Sequence, residues 1–213
     1  GFALFTLLNK NQTTSYSTGL AQKEVITLPD NSLVNLNELS ELEFNKASWE
    51  ENRLLNLKGE AFFDVEKGER FDVNTNLGTV SVLGTEFNVL ARDTIFKVSC
   101  YEGLVQVSYK GKSVKLPAGT EFMLSTGKGK TTDITIAEPY WLKNMSVFKS
   151  AVFADVVKEL EEQYNITVDA PSTVSVKFTG AFEHGNLDNA LQSITKPLNL
   201  TYTIQNSNRV IIK

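Results

Sequence analysis

Five stretches in the first two thirds of the chain repeat one pattern, and that pattern limits the fold more than anything else in the sequence. They are ITLPDNSLVNL (from Ile26), LNLKGEAFFDV (from Leu55), VSVLGTEFNV (from Val80), VSCYEGLVQV (from Val98) and VKLPAGTEFML (from Val114). Each opens with two apolar residues one apart. A glycine follows within a few positions, or Asn31 in the first stretch. Two more apolar residues one apart close the unit. Alternation with period two puts every second side chain on one face of a strand. Glycine, or asparagine, supplies the positive φ that a sharp corner needs. The spacing between units is irregular, which excludes a regular solenoid. The expectation is an all-β domain of about ten or more short strands over 18–136, with Gly84 as a corner and Glu86 facing solvent.

The period changes after Thr131. Phe153, Val156, Val157, Leu160 and Tyr164 mark one face of an amphipathic helix, with Ser150 in the position of an N-cap. Shifting the sequence by 34 residues lays Phe148 on Phe182, Phe153 on Leu187, Val157 on Leu191, Leu160 on Ile194 and Asn165 on Asn199. The tail therefore reads as two copies of a strand–helix–strand unit, closed by a hairpin turning at Gln205–Asn208. The fold class is mainly β plus α+β: an all-β domain, a linker at 137–144, and a small α+β module over 145–213.

Composition narrows the chemistry. Net charge is −4, and the one basic cluster is Lys110, Lys112 and Lys115, which argues against a nucleic-acid partner. A single cysteine, Cys100, permits no internal disulfide, and its alternation with Val98 reads as a buried thiol. One histidine, His184, and one cysteine cannot form an ordinary zinc site. No nucleotide-binding glycine motif and no nucleophile elbow is present. Glu60, Asp64 and Glu66 alternate along one stretch, a weak glycosidase signal better read as a wet strand face. Trp49, Tyr101, Tyr109 and Trp141 are too scattered to suggest a sugar platform. No cofactor, metal or catalytic residue is expected. Phe2–Leu8 is apolar but too short to span a bilayer, and 9–17 is linker-like.

Several of these segments resemble the FecR-type anti-sigma regulators. Leu28–Asn37, LPDNSLVNLN, resembles their LPDGS-x-V-x-LN opening, with Asn31 in place of the usual glycine. Gly59–Val65 looks like their GEA-x-F-x-V, and Phe71–Thr75 with Gly78–Val89 looks like F-x-V-x-T … VLGT-x-F-x-V. Glu102–Val107 and Leu116–Gly119 continue the series. The doubled tail is similar to the short domain of secretins and TonB-dependent transporters.

This resemblance implies the periplasmic part of a single-pass inner-membrane regulator. It would receive the state of an outer-membrane TonB-dependent transporter through that transporter's N-terminal signalling domain. A cytoplasmic segment outside this sequence would hold an extracytoplasmic-function sigma factor, and Phe2–Leu8 would be the end of the membrane helix. The rival reading is an extracytoplasmic carbohydrate-binding or adhesion β-protein. Docking is expected by strand addition to a sheet edge. The terminal run Arg209, Val210, Ile211 and Ile212 is the first candidate, and the run containing Val174, Val176 and Phe178 is the second.

Overall fold

The computed structural model describes residues 13–171 and 176–213. The expected membrane-helix end at Phe2–Leu8 and the candidate docking residue Val174 lie outside them. The chain divides into two compact units. One holds the described residues up to Gly19 together with Lys23–Glu138, and the other holds Leu20–Gln22 and Pro139–Lys213.

The first unit is a single curled sheet of thirteen strands. In chain order these are β1 Thr13–Ser17, β2 Glu24–Thr27, β3 Leu33–Leu36, β4 Glu41–Asn45, β5 Arg53–Asp64, β6 Phe71–Asn74, β7 Thr79–Val82, β8 Glu86–Arg92, β9 Ile95–Glu102, β10 Leu104–Tyr109, β11 Lys112–Pro117, β12 Thr120–Ser125 and β13 Lys128–Asp133. Strand β5 belongs to both halves of the curl. Its first half pairs with β4 and β6, and its second half pairs with β3 and β8. One half then runs β1-β4-β5-β6-β7-β10-β11 and the other β2-β3-β5-β8-β9-β12-β13. Inward side chains of both halves, from Leu42, Leu55 and Val80 to Phe63, Phe87 and Phe122, form one buried cluster.

The repeated glycines mark where the chain turns over. Asn31, Gly59, Gly84, Gly103 and Gly119 all have positive φ. Gly84 joins β7 of one half to β8 of the other, Gly103 joins β9 to β10, and Gly119 joins β11 to β12. In Leu55–Val65 the expected corner is a bend within one continuous strand, β5, at Gly59 (φ +94), where a Cβ would lie 2.3 Å from Ser40 Oγ. The bend brings the far end of β5 back over its start. Arg53 Nη1 donates to the Glu66 carbonyl at 3.1 Å and to Asp30 Oδ2 at 2.9 Å, and its Nη2 donates to the Glu69 carbonyl. At ~3.3 Å per residue a straight strand would hold those ends some 40 Å apart.

The second unit contains strands β14 Met145–Val152, β15 Thr167–Asp169, β16 Lys177–Glu183, β17 Tyr202–Asn206 and β18 Arg209–Ile212. Its helices are α1 Phe153–Tyr164 and α2 Leu187–Thr195. A short 3-10 turn, Tyr140–Lys143, precedes β14 and carries the buried Trp141. The helix face predicted from periodicity is buried: Phe153, Val156, Val157 and Leu160 join Leu191, Ile194, Phe178 and Phe182 in one cluster. Ser150 is not the N-cap. It sits in a bulge of β14 at φ +53, its amide donates to Thr179 Oγ1, and the helix begins three residues later after Val152. Alternation through Ala151 keeps that stretch extended.

The 34-residue repeat is real in space. The two helices start at equivalent residues, Phe153 and Leu187. Both copies end on an asparagine in the left-handed region, Asn165 and Asn199. Strands β14 and β16 pair antiparallel, with Val147 opposite its own repeat equivalent, Ala181 (147 + 34 = 181). Ser146 faces Phe182 and Phe148 faces Gly180, which are the same pair of positions exchanged between copies. A local two-fold axis through the Val147–Ala181 pair therefore relates the copies.

Candidate functional site

Strand edges are where a relay of the expected kind would dock, so edge status decides among the candidates. The three-stranded sheet of the second unit is ordered β15-β18-β17. Strand β18, the first candidate, is its middle strand and not an edge. It pairs parallel with β15 through Thr167–Arg209, Val168–Val210 and Asp169–Ile211, and antiparallel with β17 from Tyr202–Ile212 onward. Val210 and Ile212 are buried in the core, and Ile211 is half-buried. Arg209 does not guard a free edge. Its Nε and Nη2 reach Asp169 Oδ2 across the β15–β18 seam, at 2.9 and 2.6 Å. A terminal strand reads as an edge in sequence, but the parallel crossover that places β15 beside it leaves no local signature.

The second candidate run fares differently. Strand β16 pairs with β14 alone in a two-stranded sheet, so among the described residues its other side meets no strand. Phe178 points into the core, and Val176, just before the strand, is 49 % exposed. The Val176 carbonyl accepts from the Phe153 amide at 3.2 Å, fixing the approach of β16 to the start of α1. Among the described residues β14, β15 and β17 also have one side without a strand partner, and Ile204 is exposed on β17.

Polar bonds at the opposite end of the helices hold this unit together. Tyr164 Oη donates to the Glu183 carbonyl at 2.5 Å and accepts from the Asn186 amide at 3.1 Å, so the end of α1 ties down the turn before α2. Burial raises the Tyr164 phenol to about 12, keeping it protonated. Asn186 caps α2 by accepting from the Asn189 amide. Tyr202 Oη donates to Asp188 Oδ1 at 2.6 Å, and that bond holds the Asp188 carboxyl below its ordinary range.

The chemistry-bearing residues do not converge. Cys100 is fully buried, its sulfur faces the carbonyls of Glu102 and Gly103, and burial lifts its thiol to about 11. Ser146 Oγ lies 2.8 Å from both His184 Nε2 and Glu159 Oε1. The hydroxyl is thus in the middle, whereas a nucleophilic triad needs the imidazole there. Glu60 accepts from Asn37 Nδ2 at 2.9 Å and Asn88 Nδ2 at 2.8 Å, two buried amides, which makes it a structural bracket across β5 and β8. Trp49 is packed edge-on between Phe44 and Phe71 in the core, Tyr101 leans on Phe62, and Tyr109 on Phe122. The aromatic residues weighed for sugar binding are therefore core and packing residues, except that Trp141 is buried in the turn before β14.

One feature escaped sequence reasoning. The register sets Asp64, Glu86 and Glu102 side by side on β5, β8 and β9. Glu86 keeps partial exposure to solvent, and its carboxyl is raised first by burial, then by Asp64 and Glu102. No helix among the described residues is long and apolar enough to cross a membrane.

Together these features define a class: a curled β domain followed by a small duplicated α+β unit with open strand edges. The family model described as FecR protein matches residues 14–106, and the one described as FecR, C-terminal, matches 145–212. The chain belongs to the FecR family, a regulatory rather than catalytic family. Two crystal structures of a "putative anti-sigma factor" from Parabacteroides distasonis ATCC 8503, at 1.65 and 2.50 Å, share this fold. Their TM-scores are 0.83 and 0.84, both at 25 % identity, covering 94 % of this chain and 98 % of theirs. No curated protein matches the chain.

Proposed function

We propose that this chain is the periplasmic signal-receiving part of a single-pass inner-membrane anti-sigma regulator. It relays the state of an outer-membrane TonB-dependent transporter to an extracytoplasmic-function sigma factor. The relay works by protein–protein contact, and the sigma factor is held by a cytoplasmic segment outside this sequence. The observation that carries this reading is the match to both FecR models, one on each unit. The anti-sigma description of the structures with the same fold supports it.

The docking element in this reading is an open edge of the C-terminal unit, with β16 ahead of β17. An added strand gains backbone hydrogen bonds along an edge whose polar groups are otherwise solvated. Edge strand β16 is also anchored to the start of α1 through Val176, so strand addition there bears directly on the core of the unit.

Titration calorimetry of this chain against the N-terminal signalling domain of its transporter tests the reading. Thr179→Pro sits opposite the β14 bulge, where it removes the bond from the Ser150 amide to Thr179 Oγ1 but no paired residue of the ladder, and should weaken binding about tenfold with the circular dichroism spectrum intact. Ile204→Pro, whose amide faces away from β18, reports on β17. Unchanged affinity in both variants moves docking away from these edges, and no binding by the parent chain sinks the relay itself.

A further inference from the structure

We infer a second interaction surface, on the outer face of the β domain. It fits an extended peptide segment in which two acidic residues bracket an aliphatic one. The surface is a cleft of about 440 Å³ over β6, β7, β10 and β11, beside the Gly84 corner. It does not depend on the C-terminal edges or on the relay reading.

Strand register builds the cleft in two rows. Asp72, Ser81, Gln106 and Lys115 lie opposite one another across the four strands. Continuing the same register by two residues sets Arg70, Leu83 and Leu104 in the next row. Leu83 is 64 % exposed and Leu104 50 % exposed. They point away from the buried cluster, so core packing does not account for them.

The charges are arranged for an anion. Arg70 Nε donates to both oxygens of Asp72 at 2.9 Å, and its Nη2 donates to Ser81 Oγ at 3.1 Å. Ser81 Oγ donates in turn to Asp72 Oδ1 at 2.5 Å. Asp72 is thus engaged within the protein, while the guanidinium is held in a fixed plane with Nη1 left over. Fixing the fork in advance reduces the ordering cost of a carboxylate contact. At the other side of the cleft, Lys115 makes no ion pair among the described residues. The cleft therefore carries the Asp72-paired guanidinium of Arg70 at one end and the ammonium of Lys115 at the other.

Span decides the ligand. Arg70 and Lys115 are three inter-strand gaps apart, ~14 Å, and two residues out of line, ~7 Å, which puts them ~16 Å apart. In an extended peptide, residues i, i+2 and i+4 share one face and cover ~13 Å, and the long Arg and Lys side chains close the rest. A Glu-x-Leu-x-Glu segment therefore sets its leucine over Leu83 and Leu104 and one carboxylate toward each cation.

The experiment is amide NMR of the full chain titrated with the peptide acetyl-Ser-Glu-Ser-Leu-Ser-Glu-Ser-amide. The expected shifts are confined to 70–72, 81–85, 104–106 and 115, with millimolar affinity that weakens as salt rises. Lys115→Glu and Leu104→Asn, both surface changes, should each weaken binding about tenfold at unchanged melting temperature. The same peptide with lysine in place of glutamate should not bind. Equal response to both peptides, shifts outside the cleft, or insensitivity to both variants overturns the proposal. So does binding to anionic lipid vesicles through Lys115 with no peptide response.

Discussion

Arg53 shows how one side chain can fix the closure of a domain. It is nearly buried, pairs with Asp30, donates to two carbonyls of the 66–69 loop, and lies 5.6 Å from the centre of the Phe71 ring. Asp30 also accepts from the Ser32 amide, and Ser32 Oγ accepts from the Glu66 amide. The LPDNS segment is therefore the clamp that holds the β2–β3 hairpin to the returning end of β5. Arg53→Ala leaves the part-buried Asp30 carboxylate and two loop carbonyls without their donor and should cost about 2–4 kcal/mol, read from the urea midpoint.

Gly84 and Gly59 combine positive φ with close backbone approach. A Cβ at Gly84 would come within 2.7 Å of Lys67 Cα. Gly84→Val and Gly59→Ala should each cost about 2–4 kcal/mol from strain and crowding together. Glu86 works the other way. Its carboxyl is raised in the folded state, so ionised Glu86 destabilises the fold. That penalty is complete above the folded value and is relieved as pH falls through it toward the unfolded value. Glu86→Gln should thus stabilise the protein by roughly half a kcal/mol at neutral pH, for an exposed-side row of like charges. The gain should vanish in acid, which chemical denaturation at two pH values will show.

At the scale of elements, the sequence was most readable where structure is local. Alternation and a glycine located the turn-overs at Gly84, Gly103 and Gly119, and period 3.6 located α1 with its buried face. Pairing was not readable. Nothing in Leu55–Val65 announces that β5 serves both halves of the curl, because its neighbours come from segments before and after it in the chain. Strand β18 was misread as an edge for the same reason. Its partners arrive from 40 residues upstream and from across a tight hairpin. The corrected position makes a sharp prediction: Val210→Pro removes a central strand's fit and should unfold the C-terminal unit, while Ile204→Pro on the outer β17, where the amide faces away from β18, should leave it folded. Helix endings give another. Asn165 and Asn199 hold left-handed caps, so Asn165→Ala should cost about 1 kcal/mol and Asn165→Gly almost nothing, by thermal melting.

At the scale of the whole chain, two units with separate cores suggest two cooperative transitions. Residues 139–213 expressed alone should give a folded spectrum and their own melting transition; a single indivisible transition in the full chain, with an unfolded fragment, would show the units to be one cooperative body. The duplicated unit carries a further consequence for how the protein is made. Its two copies are matched by a two-fold axis at β14 and β16, yet their second strands, β15 and β17, are joined only through β18. Neither copy can complete its sheet from its own residues. Synthesis runs from the N-terminus, so helix and strand of both copies emerge with their ends unpaired and must wait. The unit closes in one event when Arg209–Ile212 arrives, and a chain that breaks off before Arg209 leaves β15 and β17 without the strand that joins them.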